Sequence, residues 1–160
     1  MALEIIPAYH RLDDIRKLFR EYTDMLVESD PDFAKYLRLQ KYDDELLHPE
    51  LKYGPPAGRL YLALMDGEVA GCIALHPMDK ERCELKRLYV LPQFRGRGIA
   101  RKLAERVVSD AKEIGYRVLL LDTLPSLKAA LKLYESMGFL PVPPHHESPV
   151  PSIFMGLELR

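Results

Sequence analysis

The segment Leu88-Tyr89-Val90-Leu91-Pro92-Gln93-Phe94-Arg95-Gly96-Arg97-Gly98-Ile99-Ala100 constrains this chain more than any other. An apolar strand runs into a Gly/Arg turn and then directly into a helix. Glycines at such a junction keep side chains off the first-turn N–H groups, which have no acceptor within the helix. With the helix dipole behind them, those donors make a seat for a phosphate or pyrophosphate. Arg95, Arg97 and Arg101 add positive charge around the same turn. A dinucleotide fingerprint fits poorly, because its third glycine position holds Arg101 and the preceding strands read as an antiparallel meander. A P-loop is excluded, since no Gly-Lys-Ser/Thr follows. A purely structural tight turn is the remaining alternative.

The rest of the chain supplies the framework. Leu3–Pro7 reads as a strand, and Ile15, Leu18, Phe19, Tyr22 and Leu26 line one face of a helix from about Asp13, with Asp13 or Asp14 as its N-cap. Pro31 breaks that helix, and one or two further helical pieces are expected before Pro49. Leu60–Met65 and Val69–Leu75 flank Asp66-Gly67, a strong hairpin signal. Arg82–Val90 alternates as a third antiparallel strand, and Ile99 to Ile114 is an amphipathic helix closed by Gly115. Val118–Leu121 is apolar throughout, as in a strand buried on both faces. Leu124 to Met137 reads as a second long helix, and Phe139-Leu140 and Ile153–Leu159 as tail strands.

A chain of 160 residues, 48% hydrophobic, is expected to form one domain over residues 1–160 with a real core. Its net charge of −1 gives no pull toward nucleic acid or an anionic membrane. No run reaches the ~20 apolar residues of a membrane span. Cys72 and Cys83 lie in apolar strands, where buried free thiols in a reducing compartment are expected, so the location read from sequence is cytoplasmic. The histidines are scattered and the cysteines lack ligand spacing, so no metal is expected.

Two linked motifs carry a family resemblance. Arg95-Gly96-Arg97-Gly98-Ile99-Ala100 follows a strand ending Val90-Leu91-Pro92, and Ala130-Leu131-Lys132-Leu133-Tyr134-Glu135-Ser136-Met137-Gly138-Phe139 follows at the right separation. Together they resemble the GNAT superfamily of N-acetyltransferases, bacterial type, over nearly the whole chain. The resemblance implies an α/β (α+β) GNAT fold: a mixed, mostly antiparallel sheet of about six to seven strands, splayed beside the fourth, flanked by about four helices. It implies transfer of an acetyl group from acetyl-CoA, as co-substrate, to a primary amine of a small molecule or peptide. A non-catalytic acyl-CoA-binding or sensing module is the alternative. A homodimer through the tail strand is compatible with the family.

The resemblance also distributes roles. The backbone of Arg95, Gly96, Arg97, Gly98, Ile99 and Ala100 holds the pyrophosphate; the side chains of Arg95, Arg97 and Arg101 either help or stay solvated. The pantetheine arm lies beside Leu88, Tyr89 and Val90, where a backbone N–H polarises the thioester carbonyl. Ser126 caps a helix or touches the cofactor. An attacking alkylamine, with a pKa near ~10.4, must lose a proton. Glu84 is the candidate base, matching a glutamate of histone-acetylating members, and otherwise a strand-surface partner of Lys86 or Arg87. His76 is the second candidate. Tyr134 matches the family tyrosine that protonates the departing thiolate, and otherwise packs in the core. His145 and His146, in the proline-rich tail loop, either shape the acceptor pocket or are exposed. Relatives carry an aromatic pair and an Asn in that loop, so the acceptor is not carried over. The acidic residues of the first helices, Glu45 among them, read as solvated faces rather than an amine trap.

Overall fold

A computed structural model describes residues 2–160. Seven strands, β1 (Leu3–Pro7), β2 (Arg59–Met65), β3 (Glu68–Pro77), β4 (Arg82–Val90), β5 (Val118–Thr123), β6 (Leu140–Pro141) and β7 (Ile153–Glu158), form one sheet in the order β1-β2-β3-β4-β5-β7-β6. Every adjacent pair is antiparallel except β4 and β5. The Asp66-Gly67 turn joins β2 to β3 with both residues in the left-handed region, at φ 51° and 85°, as a primed hairpin turn requires.

Helices cover both faces. α1 (Leu12–Ser29), α2 (Phe33–Leu39), α3 (Tyr42–Leu47) and α4 (Pro49–Lys52) lie between β1 and β2. With Ile15, Phe19, Tyr36, Tyr42, Leu60, Leu62 and Cys72 they build one core. On the other face α5 (Ile99–Ile114) buries Ile99, Leu103, Val107 and Ala111 against Ile73, Leu85, Leu119 and Leu121. Each of the Val, Leu and Ile side chains among these contributes about 1.5–3 kcal/mol on burial. The last helix is α6 (Lys128–Ser136).

Several expectations need correction. Six α-helices flank the sheet among the described residues rather than four, because the segment between Pro31 and Tyr53 breaks into three short pieces. α3 ends at Leu47, before Pro49 as expected, but Pro49 then opens the additional helix α4, since proline's fixed φ suits a first helical position. Neither Asp13 nor Asp14 caps α1; the cap position is Arg11, and the aspartates pair with Arg16 and Arg11. α6 starts at Lys128, four residues later than the apolar spacing suggests. Leu124 precedes Pro125, and the residue before proline is driven out of helical conformation. Ser126 is therefore not a cap; that position is Leu127. The tail strand β7 is not an edge, for it lies between β5 and β6.

Two irregularities of β4 shape the site. Its parallel ladder with β5 covers only Arg82, Cys83 and Glu84, against Val118, Leu119 and Leu120. Beyond Glu84 the two strands part, so Leu85–Val90 and Leu121–Thr123 face a gap. On its other edge β4 carries a bulge: Arg87 and Leu88 together oppose Ile73 of β3. Arg87 takes up the extra length at φ 58°, a conformation costing about 1–2 kcal/mol for a residue with a side chain.

Candidate active site

The gap between β4 and β5 opens into a cavity of about 640 Å³, within the range of small-molecule sites. At one end it meets the turn before α5. Gly96 and Gly98 have φ of 79° and 78°, and a Cβ at either would meet nothing within 4 Å. The turn thus presents open space in front of Ile99, Ala100 and Arg101, the first residues of α5, whose N–H groups lack helical acceptors. Arg95 reaches back, its Nε donating to the Val90 carbonyl at 3.0 Å while the guanidinium lies 5.7 Å from the Tyr89 ring. Arg101 donates to the Ser136 hydroxyl, which links α5 to α6. Arg97 is exposed beside the Phe94 ring and does not line the cavity.

Along the walls lie Leu88, Tyr89 and Val90 from β4, Ser126 from the turn before α6, and Tyr134 from α6. Tyr134 is both a core residue and a cavity residue. Its ring packs 5.6 Å from Phe139 in the core, and it also lines the cavity. Burial raises its pKa well above the ordinary range, so the hydroxyl keeps its proton at neutral pH.

The far end is polar. Tyr36, Gln40, Lys86 and Asp122 line it. Burial, then Arg87, pulls Lys86 down to about 8. The Tyr36 hydroxyl donates to Asp122 Oδ2 at 2.6 Å, and His146 Nε2 lies 3.2 Å from Asp122 Oδ1. Burial alone would raise the Asp122 pKa, but His146, Lys86 and Tyr36 hold it below the usual carboxylate value. Asp122 in turn raises that of His146.

Glu84 stands at the apex, where β4 and β5 stop pairing, and is buried without lining the cavity. It pairs with neither Lys86 nor Arg87. Its Oε1 is 3.1 Å from His76 Nδ1, and its Oε2 is 3.5 Å from His145 Nε2, an ion-pair distance rather than a hydrogen bond. Burial opposes its ionisation, yet the nitrogens of His145 and His76 prevail, and Glu84 stays far below the usual carboxylate range.

Sequence reasoning missed the support behind the bulge. Glu45 is buried, not solvated as expected, and takes Arg87 bidentately: Nε to Oε2 at 2.8 Å and Nη2 to Oε1 at 3.0 Å. Lys52 Nζ also reaches Glu45 Oε1 at 2.7 Å, Gln40 accepts from Arg87 Nη2, and the Tyr42 ring lies 5.3 Å from the guanidinium. Burial would raise the Glu45 pKa, but Arg87 and then Lys52 bring it down to about 2. Forty-two residues separate Glu45 from Arg87, and no local pattern joins them. Asp122 carried one signal: a carboxylate ending the otherwise apolar run Val118–Leu121.

A mixed sheet opened beside its fourth strand, with a glycine turn and a helix start at the mouth, is the architecture of group-transfer enzymes that hold a long phosphorylated co-substrate. The chain belongs to the acetyltransferase (GNAT) family, whose model matches residues 12–139, and is an N-acetyltransferase. It is 38% identical over 151 residues to an uncharacterized N-acetyltransferase of Schizosaccharomyces pombe, covering 92% of this chain and 88% of that protein. It is 40% identical over 86 residues to N-acetylaspartate synthetase of Rattus norvegicus, covering 53% of this chain and 29% of that one. The fold is similar to that of yncA, a putative acetyltransferase from Salmonella typhimurium solved with acetyl-CoA (TM-score 0.67, 20% identity, 100% of this chain and 95% of that one). Among the described residues no helix is long and apolar enough to cross a membrane.

Proposed function

We propose that the protein transfers the acetyl group of acetyl-CoA to a primary amine of a small molecule or peptide by direct attack on the thioester. The observation that carries this reading is one continuous cavity bounded by the Gly96–Arg101 turn, the unpaired edge of β4, Tyr134 and the polar end at Asp122. The first-turn amides of α5, with Arg95 and Arg101 beside them, suit the diphosphate. The amides of the pantetheine arm pair with the free edge at Leu88–Val90, as an added strand does. A backbone N–H of that edge donates to the thioester carbonyl as negative charge develops there.

The amine nitrogen bonds to the carbonyl carbon, the C–S bond breaks, the thiolate takes a proton from Tyr134, and the proton the nitrogen sheds as the amide forms returns to the Tyr134 oxygen. Glu84 receives the ammonium proton through water, with His76 hydrogen-bonded behind it. The products are the acetylamide and the free thiol of coenzyme A. Lys86, a cation at the polar end, favours acceptors that carry a carboxylate, and the rat relative's name specifies an acetylated acidic amino acid. Two buried free thiols, Cys72 and Cys83, suit a reducing compartment such as the cytoplasm.

Purified protein mixed with acetyl-CoA and an amine panel, with aspartate, lysine, a polyamine and a short peptide among them, tests this by release of free thiol and by mass shift of the amine. Expected is turnover on at least one member and saturable binding of acetyl-CoA. Absence of acetyl-CoA association with folded protein overturns the reading.

A further inference from the structure

We propose that Glu84, Asp122, His145 and His146 form a four-ligand site for a divalent transition metal of the zinc class, at the apex where β4 and β5 part. One oxygen or nitrogen from each residue lies within 4.8 Å of all the others. The sequence hides this group, because its members come from β4, β5 and the connection between β6 and β7. Tetrahedral zinc with bonds of ~2.05 Å separates its ligand atoms by about 3.3 Å. The pairs His146–Asp122 at 3.2 Å and His145–Glu84 at 3.5 Å already match that edge length. The two pairs need only close on each other.

The histidines point to a cation. His146 Nδ1 lies 2.8 Å from the Glu147 carbonyl, and a carbonyl only accepts, so Nδ1 carries hydrogen. In the neutral ring Nε2 therefore turns a lone pair toward Asp122 Oδ1 at 3.2 Å and the Tyr36 oxygen at 3.1 Å; the single Tyr36 proton goes to Asp122 Oδ2, so the facing lone pairs repel until a proton or a metal sits between them. His145 has 6% of its side chain exposed and finds no hydrogen-bond partner at either ring nitrogen. A buried group left so costs about 1–3 kcal/mol. Coordination through Nε2 removes the repulsion at His146 and gives a partner to one of the two unpartnered nitrogens of His145.

The surroundings have the form of an outer coordination shell. The Tyr36 hydroxyl orients Asp122, His76 orients Glu84, and the Glu147 carbonyl fixes the His146 ring. Two carboxylates balance a dication with both imidazoles neutral. Imidazole ligands select zinc, cobalt or nickel over magnesium or calcium. Lys86 lies on the same strand, and its charge weakens the attraction for a dication. A bound ion would tie the tail loop to both halves of the split sheet.

The test starts from full-length protein stripped with a chelator and desalted. Titration with Co²⁺ is expected to raise the visible bands of a four-coordinate ion, saturating at one equivalent, displaced by Zn²⁺ and indifferent to Mg²⁺. His145→Gln leaves the exposed His10 and His48 in place. It is expected to weaken Zn²⁺ binding by at least about 100-fold, beyond the 10–100-fold of an outer-shell loss. Circular dichroism checks its fold, and Asp122→Asn is read in the same way should it fail. Absence of four-coordinate bands, or unchanged affinity in folded His145→Gln, overturns the site and assigns any binding to surface histidines. A bound ion also occupies the lone pairs of Glu84, so loaded protein loses turnover. That consequence rests on the proposed base role of Glu84. Co²⁺ bands with undiminished turnover keep the metal site and remove Glu84 as base.

Discussion

Replacing Glu45 with Gln tests whether the bulge in β4 is held by the ion pair behind it. Glu45 and Arg87 have side chains 1% and 4% exposed. Removing one partner leaves the other buried without compensation, at a cost of about 3–5 kcal/mol. Proton linkage gives a second route to the magnitude. The Glu45 carboxyl falls from its ordinary 4.5 to about 2, worth ~3.4 kcal/mol at about 1.36 kcal/mol per decade of acidity. Because the folded value lies below the unfolded one, this stability is fully present above about pH 4.5 and is lost as pH falls toward 2. By pH 3 about 2 kcal/mol of it is gone. Urea unfolding of wild type and Glu45→Gln at pH 7 and pH 3 reads this directly, since other carboxylates cancel in the difference. The expected gap is about 3–5 kcal/mol at pH 7 and about 2 kcal/mol smaller at pH 3. A gap under about 1 kcal/mol at pH 7, or one that does not shrink with acid, refutes the reasoning.

Three further outcomes follow from the active-site geometry. Tyr134→Phe should lower kcat on a saturating amine by about 10²–10³-fold with little change in acetyl-CoA affinity; full turnover removes the tyrosine from the chemistry. Glu84→Gln should depress kcat/KM most at low pH, where the amine is mostly protonated, and parallel pH profiles in the two proteins count against a base role. Gly98→Ala, at φ 78°, should destabilise by about 1–2 kcal/mol and raise the KM for acetyl-CoA while sparing kcat. An unchanged KM would place the diphosphate elsewhere.

What was legible in the sequence was local. β1 and β4 have the expected bounds, Asp66-Gly67 makes the expected turn, and Gly98 and Gly115 bracket α5 where spacing puts them. Each depends on residues a few positions apart. The candidate site divides along the same line: the turn from Arg95 to Ala100, the β4 edge and Tyr134 share a cavity apart from Arg97, because two short motifs carry them. The supporting groups were not legible. Glu45 and Arg87 are 42 residues apart, and Tyr36 and Asp122 are 86 apart. Nothing near Arg87 announces a left-handed backbone at a residue with a long side chain. His145 and His146 were visible only as an oddity of the tail loop, since their carboxylate partners come from two other strands.

The three-residue ladder between β4 and β5 has a consequence for the molecule's social behaviour. Where it stops, two internal strand margins lie open, and such margins elsewhere recruit neighbouring chains. Here α1, α2 and α6 wall the opening off, which keeps another protein's sheet away from it. The enzyme keeps an unfinished ladder without inviting aggregation, because the invitation is addressed inward.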